Sequence, residues 1–170
     1  NFYQIRVSDG EISGSRASID ILVAFDKESI MLHAGELSPI GLVVYDSVAL
    51  KEKHEGVKFF DVPLLDLAMK SGGDKIMVNT VATGTVRGML GLDISIFLDI
   101  LQDSFGKKGE SVLSANAKAA KAGHEFAGRE CIRCEFSTSA IGENKMLIGI
   151  NEAVGLGAIA SGCKFNSAYP

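Results

Sequence analysis

Ile19-Asp20-Ile21-Leu22-Val23-Ala24-Phe25-Asp26 and Gly41-Leu42-Val43-Val44-Tyr45-Asp46 decide the fold. Both are apolar runs that close on an aspartate, and Leu22–Asp26 and Leu42–Asp46 resemble each other at a spacing of 20 residues. A strand with one wet face alternates apolar and polar residues. A run without that alternation reads as a strand covered on both faces, the habit of parallel sheets. Asp26 is placed to cap a helix over Lys27–Leu37, and Pro39 with Gly41 breaks that helix before the second run. Strand, helix and strand with short links make a βαβ unit, whose crossover is right-handed. The expected class is α/β with a mostly parallel sheet.

Working outward, Tyr3, Ile5 and Val7 alternate with Gln4, Arg6 and Ser8, which predicts a half-buried strand ended by the turn pair Asp9-Gly10. Val57–Val62 reads as a further strand, stopped by Pro63, and Lys51–Glu55 as a charged surface stretch between strands. Beyond Pro63 the pattern turns helical. Leu64–Met69 is a short helix, followed by the loop Ser71-Gly72-Gly73-Asp74. Ile76–Leu90 is a helix whose Ala82, Gly84 and Gly88 permit close approach to a neighbour. Ile94, Phe97, Leu98 and Leu101 mark the next, with Asp93 as its cap. Glu110–Ala127 reads as a solvent-washed helix with Val112, Leu113 and Ala117 inward. Residues 126–145 show no clear period and read as a linker. Asn151 then caps an apolar helix that closes at Gly162, and Cys163–Ala168 continues as a strand.

Composition narrows the function classes. With 170 residues, 46% hydrophobic and 22% charged, the chain has enough apolar material for a core and lies outside the disordered class. A net charge of −4 argues against a nucleic-acid module and against an anionic membrane surface. Its longest apolar runs fall far short of the ~20 residues of a spanning helix. Three cysteines and no recognisable signal peptide fit a reducing cytoplasm better than a disulfide scaffold. The chain opens on Asn1 inside one strand-like pattern and stops at Pro170 after another, which reads as an internal piece of a longer polypeptide.

Few residues carry a chemical signature. Asp26 and Asp46 are expected at the carboxyl ends of parallel strands, where open α/β sheets bind ligands, but capping and turn formation account for them more simply. No glycine-rich phosphate loop follows either strand. Cys131-x-x-Cys134 has half the ligands of a tetrahedral zinc site, and with Cys163 the sole other cysteine the pair reads as two ordinary thiols. His33, His54 and His124 lie far apart and are expected on solvated surfaces. Gly106-Lys107-Lys108-Gly109 reads as an interhelix loop. From the residues alone, no catalytic residue and no metal ligand emerges.

Taken in order, four phrases resemble the gamma domain of 2-oxoacid:ferredoxin oxidoreductases: Asn1–Ser8, Asp20–Asp26, Gly41–Asp46 and Phe105-Gly106-Lys107-Lys108-Gly109. Gly149-Ile150-Asn151-Glu152-Ala153 through Gly162-Cys163 to Tyr169-Pro170 resembles the opening of the family's alpha, pyrimidine-binding domain. The resemblance implies a Rossmann-like three-layer gamma domain over residues 1–125, lacking its N-terminal glycine-rich unit. It further implies a linker at 126–145, then the first helix and strand of a thiamine-diphosphate pyrimidine-binding domain at 146–170. The implied activity is oxidative decarboxylation of a 2-oxoacid, such as 2-oxoglutarate, with coenzyme A and ferredoxin, in a cytoplasmic complex with a beta subunit. Thiamine diphosphate, Mg2+ and a [4Fe-4S] cluster are implied for that complex and none for these residues alone. Tyr169 and Pro170 are the positions the resemblance places near the thiamine cofactor. The rival expectation is a non-catalytic Rossmann-like assembly module that scaffolds a partner subunit.

Overall fold

A computed structural model describes residues 2–8, 12, 14, 17–56, 58–72, 74–131, 148–165 and 167. The chain divides into two compact units, Asn1–Ser139 and Ala140–Pro170.

Within the first unit, β1 (Ile19–Val23), β2 (Leu37–Tyr45) and β3 (Phe59–Asp61) form a parallel sheet in the order β1-β2-β3. Leu22 pairs with Val43 and Val23 with Val44, so the two runs that decide the fold lie side by side. Five consecutive residues of β2, Gly41 to Tyr45, are buried, as a central strand covered on both faces requires. Their side chains alternate between two cores. Leu42 and Val44 join Val62, Leu64, Ala68, Val81, Ala82, Met89, Ala119 and Ala127. Val43 and Tyr45 join Ala24 and Ile30 on the other face.

The helices supply those two layers. α1 (Lys27–His33) and α2 (Ser47–Leu50) serve the smaller core, through Ile30 and Leu50. α3 (Leu64–Lys70), α4 (Val78–Met89) and α6 (Glu110–Glu130) serve the larger, and α5 (Ser95–Phe105) packs on α6. The α/β, three-layer expectation therefore holds. Glycines set how closely α4 and α6 approach. A Cβ at Gly84 would fall 2.1 Å from the carbonyl oxygen of Ala120, and one at Gly123 2.1 Å from that of Val81. Small residues in α4 thus do what their spacing suggests, and α6 answers with its own.

Several boundaries differ from expectation. α1 stops at His33 and a 3-10 turn occupies Ala34–Glu36, because the chain is drawn into β2 from Leu37 onward. Pro39 lies inside that strand. It is tolerated because pairing passes from Ile19↔Leu37 directly to Ile21↔Leu42, two steps along β1 against five along β2. Pro39 falls in this bulge, where no ladder donor is needed. Gly41 closes the bulge, since a Cβ there would come 2.7 Å from the Ile19 carbonyl oxygen.

Residues 2–8 form no strand, and Tyr3, Ile5 and Val7 are exposed. Alternation states which face a strand would bury; it does not provide the neighbour a ladder needs. α6 runs through Glu130, so residues 126–130 are helical rather than linker, with Phe126 against Phe60 of the sheet. Its buried face is Ala115, Asn116, Ala119, Ala120, Gly123 and Ala127, while Val112 and Leu113 are half-buried: contact with α4 selects the small side chains.

The second unit contains α7 (Ile150–Ala160). Gly149, extended at φ −75° and ψ 169°, occupies the cap position expected of Asn151, which lies in the first helical turn. Gly162 ends α7 with φ +86°, and the Cys163 and Gly162 N–H groups donate to the Ala158 and Ile159 carbonyls. That is the double-bonded glycine closure expected there. Residues 163–165 and 167 are irregular instead of extended into a strand, and the remaining residues of that expected strand lie outside the described ones. Leu156 and Ile159 are exposed.

Candidate functional site at the carboxyl edge of the sheet

An aspartate stands at or beyond the carboxyl end of each strand of the sheet, and parallel pairing brings these carboxylates to one edge: Asp26 three residues after β1, Asp46 directly after β2 and Asp61 closing β3. Asp46 is buried and fully engaged. Oδ1 accepts from the Val48 and Ala49 N–H groups at 3.1 and 2.9 Å, capping α2, and Oδ2 accepts from the Leu65 N–H at 3.0 Å in the first turn of α3. One side chain therefore joins two helix starts to the end of the central strand. Asp61 accepts from the Ser47 N–H at 2.9 Å and the Ser47 hydroxyl at 2.5 Å, fixing β3 to the start of α2. Asp26 accepts from the Ser29 N–H at 2.7 Å, the cap of α1.

These bonds define the chemistry of the edge. Asp46 and Asp61 spend oxygens from both sides of the carboxylate on protein donors, so they act as fasteners. Replacing Asp46 with Ala takes the acceptor from three part-buried N–H groups at the starts of two helices. The expected loss is about 2 kcal/mol, from the loss of one side chain that caps two helix starts, read as a lower urea midpoint. Asp46→Asn, which keeps one acceptor oxygen, is expected to lose less.

Beside the aspartates stands a second cluster. Glu52 pairs with Lys27 at 2.8 Å through Oε2 and lies 3.2 Å from His54 Nε2 through Oε1. The His54 ring stacks on Phe59 at 4.6 Å and meets Tyr45 edge-on at 5.4 Å. The Tyr45 hydroxyl receives the His54 N–H at 3.0 Å and donates to the His54 carbonyl at 3.3 Å. His54 is thus half-buried and held, contrary to the expectation of a solvated histidine, because aromatic side chains from β2 and β3 form a slot beneath its loop. His33 and His124 are also half-buried. His33 Nδ1 lies 3.2 Å from Glu36, and His124 Nε2 donates to the Leu92 carbonyl at 2.9 Å.

Two carboxyls of this edge titrate below their ordinary range. The Ser29 backbone and hydroxyl donors hold Asp26 below 3.8, and the Lys27 hydrogen bond, with His54 nearby, holds Glu52 below 4.5. A carboxyl whose folded-state pKa is depressed adds stability above its unfolded value and loses it as pH falls. Stability is therefore expected to decline below about pH 4.5, the ordinary Glu52 value. Asp26→Asn and Glu52→Gln are expected to flatten the decline, measured as unfolding midpoints from pH 6 down to pH ~2.

Neither the implied magnesium nor the implied iron–sulfur cluster finds a fitted holder among the described residues. No group of three or more His, Cys, Asp or Glu is placed to hold a metal ion there. An iron–sulfur cluster needs thiolates, but Cys131 is disulfide-bonded and Cys163 is a single exposed thiol. The bond at Cys131 corrects the expectation of two ordinary thiols: the residue is the half-buried end of α6, packed on the core, rather than part of an open linker. Cys134, Tyr169 and Pro170 lie outside the described residues. Gly106-Lys107-Lys108 forms a 3-10 turn into α6, with Lys108 Nζ 5.1 Å from the centre of the Phe105 ring. No helix of the described residues is long and apolar enough to cross a membrane.

Asp26 and Asp46 were legible as an aspartate pair in the repeated strands. Asp61 and His54 were missed. Phe59-Phe60-Asp61 repeats the same apolar-then-aspartate ending, a signal that would have found the third carboxylate.

Comparison with known proteins agrees with this architecture. Residues 1–126 match the family described as pyruvate ferredoxin/flavodoxin oxidoreductase. The chain is 33% identical over 135 residues to the ketoisovalerate oxidoreductase subunit VorA of Methanothermobacter marburgensis, covering 76% of this chain and 28% of that protein. VorA of Methanothermobacter thermautotrophicus is 33% identical over 133 residues, 76% of this chain and 27% of that one. The chain thus spans about a quarter of the length of these relatives. Among solved structures, a 2-oxoglutarate:ferredoxin oxidoreductase from Magnetococcus marinus, with 2-oxoglutarate, coenzyme A and succinyl-CoA bound, matches at a TM-score of 0.77 and 25% identity. That match covers 91% of this chain and 28% of its own. The gamma subunit of a keto/oxoacid ferredoxin oxidoreductase from Geobacter sulfurreducens PCA shares the fold at a TM-score of 0.51 and 22% identity, over 64% of this chain and 63% of its own.

Proposed function

Since the chain belongs to the pyruvate ferredoxin/flavodoxin oxidoreductase family, we propose that it is part of the subunit in which a gamma domain precedes a thiamine-binding alpha domain. The complex would convert a 2-oxoacid, coenzyme A and oxidised ferredoxin to acyl-CoA, CO2 and reduced ferredoxin, with 2-oxoglutarate or a related 2-oxoacid as substrate. The observation that carries this reading is the likeness to the Magnetococcus marinus enzyme over 91% of the chain, at a TM-score of 0.77.

In this reading the gamma domain runs to the end of α6 at Glu130, residues 131–145 join it to the next domain, and 146–170 begin the pyrimidine-binding domain, with Tyr169 and Pro170 beside the cofactor. Bound in the complete complex, thiamine diphosphate supplies the ylid and electron sink that decarboxylation needs. The described residues contribute positioning. Asp46 and Asp61 clamp the starts of α2 and α3 to the sheet, and the close α4–α6 pair backs its larger core. Catalytic groups, magnesium and the [4Fe-4S] cluster belong to other parts of the complex, which includes a beta subunit and works in the cytoplasm.

The test is acyl-CoA formation by the full complex, followed with ferredoxin or a viologen dye over a panel of 2-oxoacids. Dye reduction that requires both coenzyme A and one 2-oxoacid is expected; none with any 2-oxoacid overturns the reading. The isolated 170-residue chain is expected to show no micromolar heat of binding for thiamine diphosphate with Mg2+ in calorimetry. Such binding would move the cofactor site into these residues.

A further inference from the structure

We propose that His54 is a proton-operated latch: with both ring nitrogens protonated, its Nε2–H bonds the Glu52 carboxylate and holds the stretch Lys51–Gly56 against the carboxyl edge of the sheet. Nε2 is enclosed by protein and makes no aligned hydrogen bond among the described residues. Yet a carboxylate oxygen, Glu52 Oε1, stands 3.2 Å away. The acceptor is in place before the donor is aimed at it. Histidine is the side chain whose charge changes near neutral pH, so the missing element is one proton.

The surroundings suit a charged ring. Glu52 is itself fixed, since its other oxygen, Oε2, pairs with Lys27 Nζ of α1 at 2.8 Å. The His54 ring lies nearly parallel to that of Phe59, at 4.6 Å and 14°, and Tyr45 meets it edge-on at 5.4 Å. A cation over the face of an aromatic ring is attracted by the electron-rich face. Backbone bonds hold the root of the side chain. The His54 N–H donates to the Tyr45 hydroxyl at 3.0 Å, and that hydroxyl donates to the His54 carbonyl at 3.3 Å. A small turn of the ring about its own bonds aims Nε2 at Oε1, whereas leaving the slot would break the backbone pair.

The charges around the ring set the sign. Glu52 favours the protonated ring, and Lys27 opposes it from the far oxygen of the same carboxylate. β2 presents the Tyr45 hydroxyl and β3 the uncharged Phe59. α2 carries no charged side chain, and its cap Asp46 is bonded to three N–H groups. Asp61, closing β3, is bonded to Ser47. Lys51, Lys53 and Glu55 are exposed, and Lys58 reaches the Ser38 carbonyl at 3.5 Å. Burial of the ring weighs against the charge. A charge-assisted bond, about twice as strong as a neutral one, outweighs it where the acceptor is already fixed. Acid therefore tightens the stretch until Glu52 is itself protonated, and the Lys27 hydrogen bond holds that event below the ordinary 4.5.

The latch is read by amide hydrogen exchange in the full complex at about pH 5.5 and about pH 7.5, either side of an ordinary imidazole and above the carboxylate range. Exchange is expressed as protection relative to the intrinsic rate at each pH. The reporters are the Glu52 and His54 amides, which donate to the Ser47 carbonyl at 3.1 Å and the Tyr45 hydroxyl at 3.0 Å. Their protection is expected to rise about three- to tenfold at the lower pH, the yield of one hydrogen bond of ordinary strength. The core amides of α4 are expected to stay level. His54→Phe keeps an aromatic ring in the slot without a proton to gain, and Glu52→Gln keeps the shape of the acceptor without its charge. Both are expected to show equal protection at the two pH values. Equal protection in the unaltered complex, or a fall at the lower pH, overturns the proposal. So does a rise that survives either substitution, or one that the α4 amides share.

Discussion

Val43→Asp is expected to cost about 4 kcal/mol, which removes most of the stability of a domain at the lower end of the ordinary range of about 5–15 kcal/mol. Val43 sits in the central strand with no exposed surface and packs with Ala24, Ile30 and Tyr45. An aspartate there has no cation or donor arranged for it, because the backbone of β2 is paired on both sides, to β1 and to β3. The charge must be buried unpaired or the strand must open, and both are expensive. Ile40→Asp is the control. Ile40 belongs to the same strand but is 54% exposed, so the same charge is expected to cost under about 1 kcal/mol. Urea unfolding followed by circular dichroism reads both. Equal losses at the two positions would mean that β2 is not a covered central strand.

Gly84→Ala is the second large effect. A methyl group at Gly84 would meet the Ala120 carbonyl at 2.1 Å, and that atom is backbone, unable to swing aside. The helices α4 and α6 must separate, loosening the contacts that Val81, Ala82, Ala119 and Ala127 make in the larger core. A cost of about 3 kcal/mol is expected, at the upper end for overpacking. Gly128→Ala is the opposite case in the same helix pair. A Cβ there meets nothing within 4 Å and the residue is exposed on α6, so the helix gains about 0.5–1 kcal/mol from the better helix former. Thermal unfolding of the two variants should therefore shift in opposite directions. If Gly84→Ala stabilised as well, the close approach of α4 and α6 would be wrong.

Much was legible before any fold was seen, and for one reason: features written in consecutive residues are set by local physics. The unbroken apolar run at 42–45 required a strand covered on both faces, whereas its counterpart ends at Val23, stays half-buried as an outer strand and leaves Phe25 exposed. Aspartates at 26 and 46 required caps, and the small residues at 82, 84 and 88 required a close helix neighbour. The covered strand, the caps and the close helix pair appear as expected. Gly162 closes α7 for an equally local reason, since few other residues accept its left-handed backbone.

What only the tertiary structure decided concerns pairs of groups distant along the chain. Whether Tyr3, Ile5 and Val7 become a strand depends on a ladder partner, which alternation does not name, and residues 2–8 stay irregular and exposed. Where β2 begins depends on Ile19 across the sheet, so Pro39 could enter a strand as part of a bulge. His54 read as a solvated residue in a charged run until Tyr45 and Phe59, brought together by parallel pairing, enclosed its ring. The buried face of α6 fell on its alanines rather than on Val112 and Leu113 because α4 presents glycines there and admits only small neighbours. Local sequence set the period, the caps and the apolar content of each element. Packing between distant segments set which face was buried, which histidine was held and which carboxylates met at the edge of the sheet.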